Sequence, residues 1–101
     1  MSLWQIYMLR IQRSTRFKKD FKRIVQQACY DEAEFKHVID TLVAQKPLEE
    51  KYRDHPLKGK HAGIIGCREC HIKPDWLLVY RVYREDLILY LIETDSHSNT
   101  F

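Results

Sequence analysis

The sequence predicts an α+β fold with the element order β-α-α-β-β-β, in which an N-terminal helical hairpin packs on a small, mostly antiparallel sheet. Two apolar stripes with helical spacing occupy the first half of the chain, and three strand-like runs follow Pro47. The 101 residues, of which 45% are hydrophobic, can bury one modest core. We therefore expect a single domain over residues 8–101, with residues 1–7 as an extension ahead of a natural start at Met8.

The N-terminal half predicts one short strand and a first helix. Leu9 and Ile11 alternate with polar residues, which is typical of a strand. Ser14 or Thr15 can then cap a helix, because short hydroxyl side chains accept hydrogen bonds from the first helical N–H groups. The apolar stripe of this helix consists of Phe17, Phe21, Ile24, Val25 and Ala28.

A second helix is predicted from a capping box. Asp31 serves as the N-cap and Glu34 follows three residues later, ahead of an apolar stripe that starts at Phe35. The helix should end before Pro47, since proline disfavours helical geometry in the residue before it. The two helices, joined by a short turn, form the expected hairpin.

The C-terminal half predicts a loop and three strands. Residues 51–63 are polar and contain one proline and two glycines, so we expect a loop that carries His55 and His61. Strands should follow at residues 64–72, 76–83 and 87–92. The last two are apolar on both faces, which suits interior strands covered by the helical hairpin on one side.

The charge pattern indicates a polyanion or an acidic partner. The chain carries a formal net charge of +3, but seven of its basic residues and only one acid, Asp20, lie between Arg10 and Arg23. A solvated helix face explains the same pattern equally well. No apolar run is long enough to span a bilayer and no export signal is apparent, so we expect a cytoplasmic protein with no membrane partner.

The run Cys67-Arg68-Glu69-Cys70-His71 matches the C-x-x-C-H pattern of haem attachment. Export normally accompanies that chemistry, and in a strand the two cysteines point to opposite faces. The same geometry opposes a zinc site, which needs converging ligands. We therefore expect no metal and no cofactor, and three reduced thiols.

The run His71-Ile72-Lys73-Pro74-Asp75-Trp76 predicts a site for proton transfer. Strand alternation places Cys70 and Ile72 inward and Glu69, His71 and Lys73 on the other face. A carboxylate near an imidazole fixes its tautomer, and Trp76 can either stack on a base or fill the core. His55 and His97 supply two further imidazoles.

Three motifs together resemble the YafQ branch of the RelE-type toxins of bacterial toxin-antitoxin systems, over about residues 8–101. They are Arg53-Asp54-His55-Pro56-Leu57-x-Gly59, Arg68-x-Cys70-His71-Ile72-x-Pro74-Asp75-Trp76-Leu77-Leu78-x-Tyr80 and Thr94-x-Ser96-His97-Ser98-x-x-Phe101. The resemblance implies a RelE-like fold and a metal-independent endoribonuclease that cleaves mRNA on the ribosome. It also implies a small acidic antitoxin as partner, with operator DNA bound only through the toxin-antitoxin complex.

Residue by residue, the resemblance assigns acid-base roles to four side chains: His55, His71, Asp75 and His97. It assigns nucleotide positioning to Trp76 and Phe101. It leaves open which group is the base and which is the acid. We expect the three histidine-bearing segments to share one pocket with the Pro74-Asp75-Trp76 corner, on the sheet face turned away from the helices.

One position departs from the family pattern. Glu93 stands where the family typically has an arginine that stabilises the phosphorane, and a carboxylate there should repel phosphate. Arg68, Lys73, Arg81 or Arg84 can substitute for that cation, and replacing Glu93 by arginine should raise the cleavage rate if the cation limits the reaction. The alternative is a catalytically weak or silent binding protein of the RelE/ParE fold that binds antitoxin or gyrase. A third reading is a general RNA-binding module that uses the basic helix.

Overall fold

The computed structural model of the chain describes residues 7–96. Residues 97–101, which include His97 and Phe101, lie outside the described part. In chain order the elements are β1 (Arg10–Arg13), α1 (Thr15–Ile24), α2 (Glu32–Val43), a 3₁₀ turn (Glu50–Tyr52), β2 (His55–Pro56), β3 (Lys60–His61), β4 (Ile64–Ile65), β5 (Arg68–Lys73), β6 (Trp76–Tyr83) and β7 (Ile88–Ser96).

Five strands form one sheet in the order β1-β7-β6-β5-β2, and β3 and β4 form a separate hairpin. β1 runs parallel to β7, whereas the other neighbouring strands of the sheet pair antiparallel. The prediction of an α+β fold with a mostly antiparallel sheet is therefore confirmed. β6 has the predicted bounds, and β7 continues to Ser96, four residues beyond the predicted end.

The segment from residue 51 to residue 72 is more structured than predicted. The expected loop contains β2 and β3, and the expected single strand at 64–72 is divided into β4 and β5. Gly66 separates these two strands with a φ of 88°, a conformation that residues with a Cβ rarely adopt. The short strands escaped prediction because they exist through pairing, as between His55 and Glu69, and not through an apolar pattern of their own.

Both helix N-termini were predicted correctly. Ser14 Oγ accepts a hydrogen bond from Phe17 N at 2.9 Å, and Asp31 Oδ1 accepts one from Glu34 N at 3.1 Å. These bonds satisfy N–H groups that have no partner inside the helix. Ser14 and Asp31, which the sequence predicted as N-caps, therefore cap the two helices in the structure.

The first helix ends earlier than predicted, at Ile24 and not at Ala28. The N–H groups of Gln26 and Gln27 donate to carbonyls three residues back, so the helix tightens into turns. Cys29 then lies in the core. Val25 and Ala28, which extended the predicted stripe, are exposed in the structure, so the buried stripe of this helix ends at Ile24.

The main core lies between the helical hairpin and the inner face of the sheet. The two helices meet where the rings of Phe21 and Phe35 lie 4.9 Å apart. From the sheet side, Cys70, Leu78 and Leu91 are buried in the same cluster. Burial of this surface is the main force that holds the hairpin on the sheet.

A second, smaller cluster lies on the opposite side of the sheet. Cys67, Val79 and Ile92 are buried there, and partly buried apolar residues pack around them. Ile64, one of these neighbours, belongs to β4, so the β3-β4 hairpin covers this cluster. The sheet consequently has a helix-covered inner face and an outer face that is only partly covered.

Polar contacts fasten α1 to the last strand of the sheet. Ser14 Oγ donates to Ile92 O at 2.5 Å, and the buried Asp20 accepts from Thr94 N at 3.2 Å. β1 pairs with β7 only as far as Leu91, so α1 satisfies backbone groups of β7 beyond that point. Within residues 7–96, neither helix has the length and apolar character needed to cross a bilayer.

We predict that Ser14→Ala lowers the free energy of unfolding by about 1–2 kcal/mol, because it removes both the helix cap and the bond to Ile92. Urea denaturation measures the change. Thr15→Ala, at the adjacent exposed position, is the control and should shift stability by no more than about 0.5 kcal/mol. Equal losses in the two variants would show that the Ser14 bonds do not fasten α1.

Candidate active site on the outer face

The outer face carries two rows of side chains in register. One row contains His55 of β2, Glu69 of β5, Val79 of β6 and Glu93 of β7. The next row contains His71, Leu77 and Asp95. Paired residues of antiparallel strands point to the same face, so these rows form one continuous surface.

His55 lies at the edge of this surface, with 46% of its side chain exposed. Its Nδ1 is 2.8 Å from Arg53 O, and its Nε2 is 3.5 Å from Glu69 Oε1. Arg53 adopts a left-handed conformation with a φ of 47° and turns the chain into β2. His55 is therefore a positioned but accessible imidazole beside a carboxylate.

His71 follows Glu69 by two residues and points to the same face, as predicted from the inward burial of Cys70 and Ile72. Its Nδ1 is 3.4 Å from Pro74 O. Side chains at diagonal positions of paired strands lie roughly 7–8 Å apart, which brings His55 and His71 into one site.

Asp75 lies in the turn between β5 and β6, partly exposed. The following residue, Trp76, pairs with Ser96 at the end of β7. β7 therefore ends beside the Asp75 turn. The predicted roles of His97 and Phe101 concern residues outside the described part and stay predictions.

Trp76 does not lie on the outer face, and its predicted contact with a nucleotide is wrong in this structure. Its exposed fraction is 0%, its Nε1 donates to Thr94 Oγ1 at 2.7 Å, and its ring stacks on Phe35 with centroids 5.7 Å apart. The indole N–H has its hydrogen-bond partner inside the protein, and the ring packs against both Phe35 and Tyr30. Trp76 thus fills the core. Because adjacent residues point to opposite sides of the sheet, the carboxylate of Asp75 stays near the surface.

Two of the predicted phosphate-binding cations point away from the outer face. A register shift between His71 and Lys73 turns Lys73 to the helix side, where its Nζ lies 3.1 Å from Asp31 Oδ2. The hydrogen bond to Asp31 raises the pKa of Lys73. The prediction that Lys73 shares the face of His71 was wrong, because it took β5 to be a regular strand without a register shift.

Arg68 donates to Asp54 Oδ2 from Nε at 3.2 Å and from Nη2 at 2.9 Å, and Tyr80 also donates to this carboxylate. The hydrogen bonds to Asp54 raise the pKa of Arg68. These groups line a cleft of about 470 Å³ that also contains Leu9 and Leu42, so it belongs to the helix side. The structure does not bring Arg68 to His55 and His71.

Arg81 lies over the β3-β4 hairpin. Its Nε donates to Ile65 O at 2.9 Å and its Nη1 to Val82 O at 2.6 Å. A Cβ added at Gly66 would lie 2.9 Å from Arg81 Nε, so this glycine leaves room for the guanidinium. Arg81 thus anchors the hairpin that covers the outer face.

His61 is the functional candidate that sequence reasoning placed only in a loop. The β3-β4 hairpin carries it across the outer face, where its Nε2 makes a hydrogen bond with Glu93 Oε1. Glu93 Oε2 lies 3.4 Å from Arg16 Nη2 of α1. The carboxylate of Glu93, which we expected to be unpaired, therefore contacts both the imidazole of His61 and the guanidinium of Arg16. No sequence pattern signals this contact, which spans 32 residues.

The cysteines are buried and separated. Cys70 belongs to the main core and Cys67 to the smaller cluster, so they lie on opposite faces, as expected. Burial raises the pKa of Cys70 to about 12, which leaves an unreactive thiol near neutral pH. Among residues 7–96, no group of three His, Cys, Asp or Glu side chains is arranged to hold a metal ion.

The outer face thus combines imidazoles that can accept or donate protons with carboxylates that orient them. His55 lies beside Glu69, His61 beside Glu93, and His71 close to the Asp75 turn. Such groups suit reactions in which one proton is removed and another is delivered near neutral pH.

Comparison with known proteins identifies relatives along almost the whole chain. The model of the family described as the bacterial toxin of type II toxin-antitoxin systems, YafQ, matches residues 9–101. The mRNA interferase toxin YafQ of Escherichia coli strain K12 is 33% identical over 92 residues, which cover 90% of this chain and 94% of that protein.

Solved structures with the same fold include a metal-bound toxin from Helicobacter pylori. It aligns with a TM-score of 0.78 and 42% identity, covering 93% of this chain and 100% of the other. The crystal structure of the E. coli DinJ-YafQ complex aligns with a TM-score of 0.70 and 32% identity, covering 92% of this chain and 98% of the other.

We predict that Trp76→Ala lowers the free energy of unfolding by about 3–5 kcal/mol, because it leaves a cavity and removes the buried hydrogen bond to Thr94 Oγ1. His71→Ala should change it by no more than about 0.5 kcal/mol, since a surface imidazole contributes little packing. Urea denaturation of both variants distinguishes a core role from a site role. Wild-type stability in Trp76→Ala would contradict the core placement.

Proposed function

The chain belongs to the YafQ family of bacterial toxins of type II toxin-antitoxin systems, and we propose that it is an mRNA interferase that cleaves message by acid-base catalysis without a metal ion. The proposal rests on one observation: His55 and His71 point to the same accessible face from diagonal positions of paired strands, with Asp75 in the adjoining turn. The mRNA interferase named among the relatives supports the same activity.

Cleavage of RNA without a metal needs two proton transfers. A base takes the proton of the ribose 2′-OH, the 2′-oxygen attacks phosphorus, and a phosphorane forms. The bond from phosphorus to the 5′-oxygen then breaks, and an acid protonates that oxygen, which leaves a 2′,3′-cyclic phosphate and a 5′-hydroxyl. Each proton transfer of this kind contributes typically 10²- to 10⁴-fold to the rate.

We assign the proton transfers to the set His55, His71, Asp75 and His97. The two first histidines are accessible and carry ring nitrogens close to the Glu69 carboxylate or the Pro74 carbonyl. His97 follows Ser96, which ends β7 beside the Asp75 turn. Phe101, four residues later, is proposed to stack on a base, because aromatic rings hold single-stranded nucleotides in this way.

We further propose that the message is cleaved on the ribosome. The exposed side of α1 carries Lys18, Lys19 and Lys22, which can contact ribosomal RNA phosphates. The same helix, α1, also places Arg16 against Glu93 of the outer face. The lysines that would bind ribosomal RNA and a contact of the proposed site therefore belong to one helix.

The proposed regulatory partner is a cognate acidic antitoxin, as a toxin-antitoxin family implies and as the DinJ-YafQ complex exemplifies for the E. coli relative. Operator DNA would be bound only by the toxin-antitoxin complex. We place the protein in the cytoplasm, where its proposed ribosomal substrate lies.

We predict that induced expression arrests growth through mRNA cleavage, and that His71→Ala, Asp75→Ala and His97→Ala each slow cleavage by roughly 10²- to 10⁴-fold, since each removes a proton-transfer group. Primer extension on ribosome-bound message measures the cleavage. His37→Ala is the matched control, because His37 also pairs with a glutamate, Glu49 at 2.9 Å, but belongs to α2.

The three variants should still fold and bind antitoxin, which separates loss of chemistry from loss of structure. Normal growth and intact transcripts under expression of the wild-type chain would favour the silent binding protein. Growth arrest with intact transcripts and inhibited gyrase would favour a ParE-type toxin. Undiminished cleavage in all three variants would remove the site assignment.

A further inference from the structure

The β3-β4 hairpin brings a third imidazole of residues 7–96, beside those of His55 and His71, to the outer face. β3 carries His61, which pairs with Ile64 across the hairpin, and Cys67 lies beneath it with its Sγ 3.8 Å from His61 O. Arg81 holds the other strand of the hairpin through Ile65 O. The position of His61 is therefore fixed by backbone contacts on both strands, and 36% of its side chain remains exposed.

Glu93 holds the His61 ring through one nitrogen. Its Oε1 bonds to His61 Nε2, its Oε2 lies 3.4 Å from Arg16 Nη2, and only 16% of its side chain is exposed. Both carboxylate oxygens are thus engaged. Arg16 lies 3.5 Å from Asp20 as well, so α1 positions the guanidinium next to Glu93.

This contact selects the tautomer of the imidazole. A carboxylate accepts hydrogen bonds, so the neutral ring donates from Nε2–H to Glu93 and leaves Nδ1 unprotonated. Among the described residues, Nδ1 of His61 has no hydrogen-bond partner. A carboxylate that fixes the tautomer also stabilises the imidazolium that forms when Nδ1 takes up a proton.

The register places this pair within the proposed nuclease site. Glu93 pairs with Val79, Val79 pairs with Glu69, and Glu69 pairs with His55. Glu69 and Glu93 are therefore two strand spacings apart, roughly 10 Å. Two imidazole-carboxylate pairs, His55-Glu69 and His61-Glu93, flank Val79 on one surface.

We propose that His61, oriented by Glu93, is a general base of this site and accepts the 2′-OH proton at Nδ1. The inference rests on the proposed nuclease function and adds a residue to it. The 2′-oxygen uses the released electron pair to attack phosphorus. As the bond to the 5′-oxygen breaks, a second group protonates that oxygen, and His61 later returns its proton to solvent.

The same contacts give Glu93 a positioning role. Where the family has an arginine, this chain has a carboxylate whose charge is offset by Arg16 and which holds a histidine in return. The sequence-based expectation that arginine at this position raises the rate is accordingly reversed. Glu93→Arg would place a cation against Arg16 and release His61, so the rate should fall.

We predict that His61→Ala slows cleavage of message by roughly 10²- to 10⁴-fold, and that added imidazole restores part of the rate. With a series of substituted imidazoles, the restored rate should rise with the basicity of the added base, because the missing group accepts a proton. His37→Ala removes the imidazole of a His-Glu pair on α2, away from the site, so this variant should cleave at the wild-type rate and should not respond to added imidazole.

Glu93→Gln should also slow cleavage, and the double variant with His61→Ala should be no slower than His61→Ala alone, because Glu93 acts through His61. Circular dichroism and antitoxin binding establish that each variant is folded. Folded His61→Ala with wild-type cleavage, no rescue by imidazole, or a rescued rate that falls with basicity would each overturn the base assignment. Failure of the wild-type chain to cleave any message would instead overturn the proposed function.

Discussion

A chain of buried hydrogen bonds joins α1, β6 and β7 and determines how the site is presented. Asp20 accepts from Thr94 N, and Thr94 Oγ1 accepts from Trp76 Nε1 while it donates to Leu77 O at 2.6 Å. Unpaired, these buried polar groups would each cost about 1–3 kcal/mol. The network therefore holds the indole inward at the start of β6, which leaves Asp75 at the surface beside the end of β7.

Most of the fold could be predicted because its signals are local. The capping side chains of Ser14 and Asp31 and the alternation of Cys70 and Ile72 operate over a few residues, and the structure retains all of them. The orientation of His71 followed from that alternation. Resemblance to a family then supplied the connection among segments that local patterns leave separate.

The errors arose where a contact between distant residues overrides a local pattern. The irregular register after His71 turned Lys73 towards Asp31, and Asp54 engaged Arg68 across 14 residues. By its sequence Trp76 could be a stacking residue or a core residue, and its buried contacts with Thr94 and Phe35 decide for the core. The contacts of Glu93 could not be predicted for the same reason, because Arg16 and His61 are distant from it in the sequence.

The electrostatics of the outer face support a requirement for a second RNA-binding surface. Glu69, Glu93 and Asp95 lie among its imidazoles, and two nearby arginines are engaged by these carboxylates: Arg16 lies 3.4 Å from Glu93 and Arg23 lies 3.9 Å from Asp95. A surface of this composition attracts a polyanion weakly, since phosphate contacts by free cations dominate affinity for RNA. Efficient proton transfer also demands a fixed substrate, because misplacement by about 1 Å can cost two orders of magnitude in rate. A ribosome that holds the message in place would supply the binding energy that this face lacks, while the imidazole-carboxylate pairs supply the chemistry.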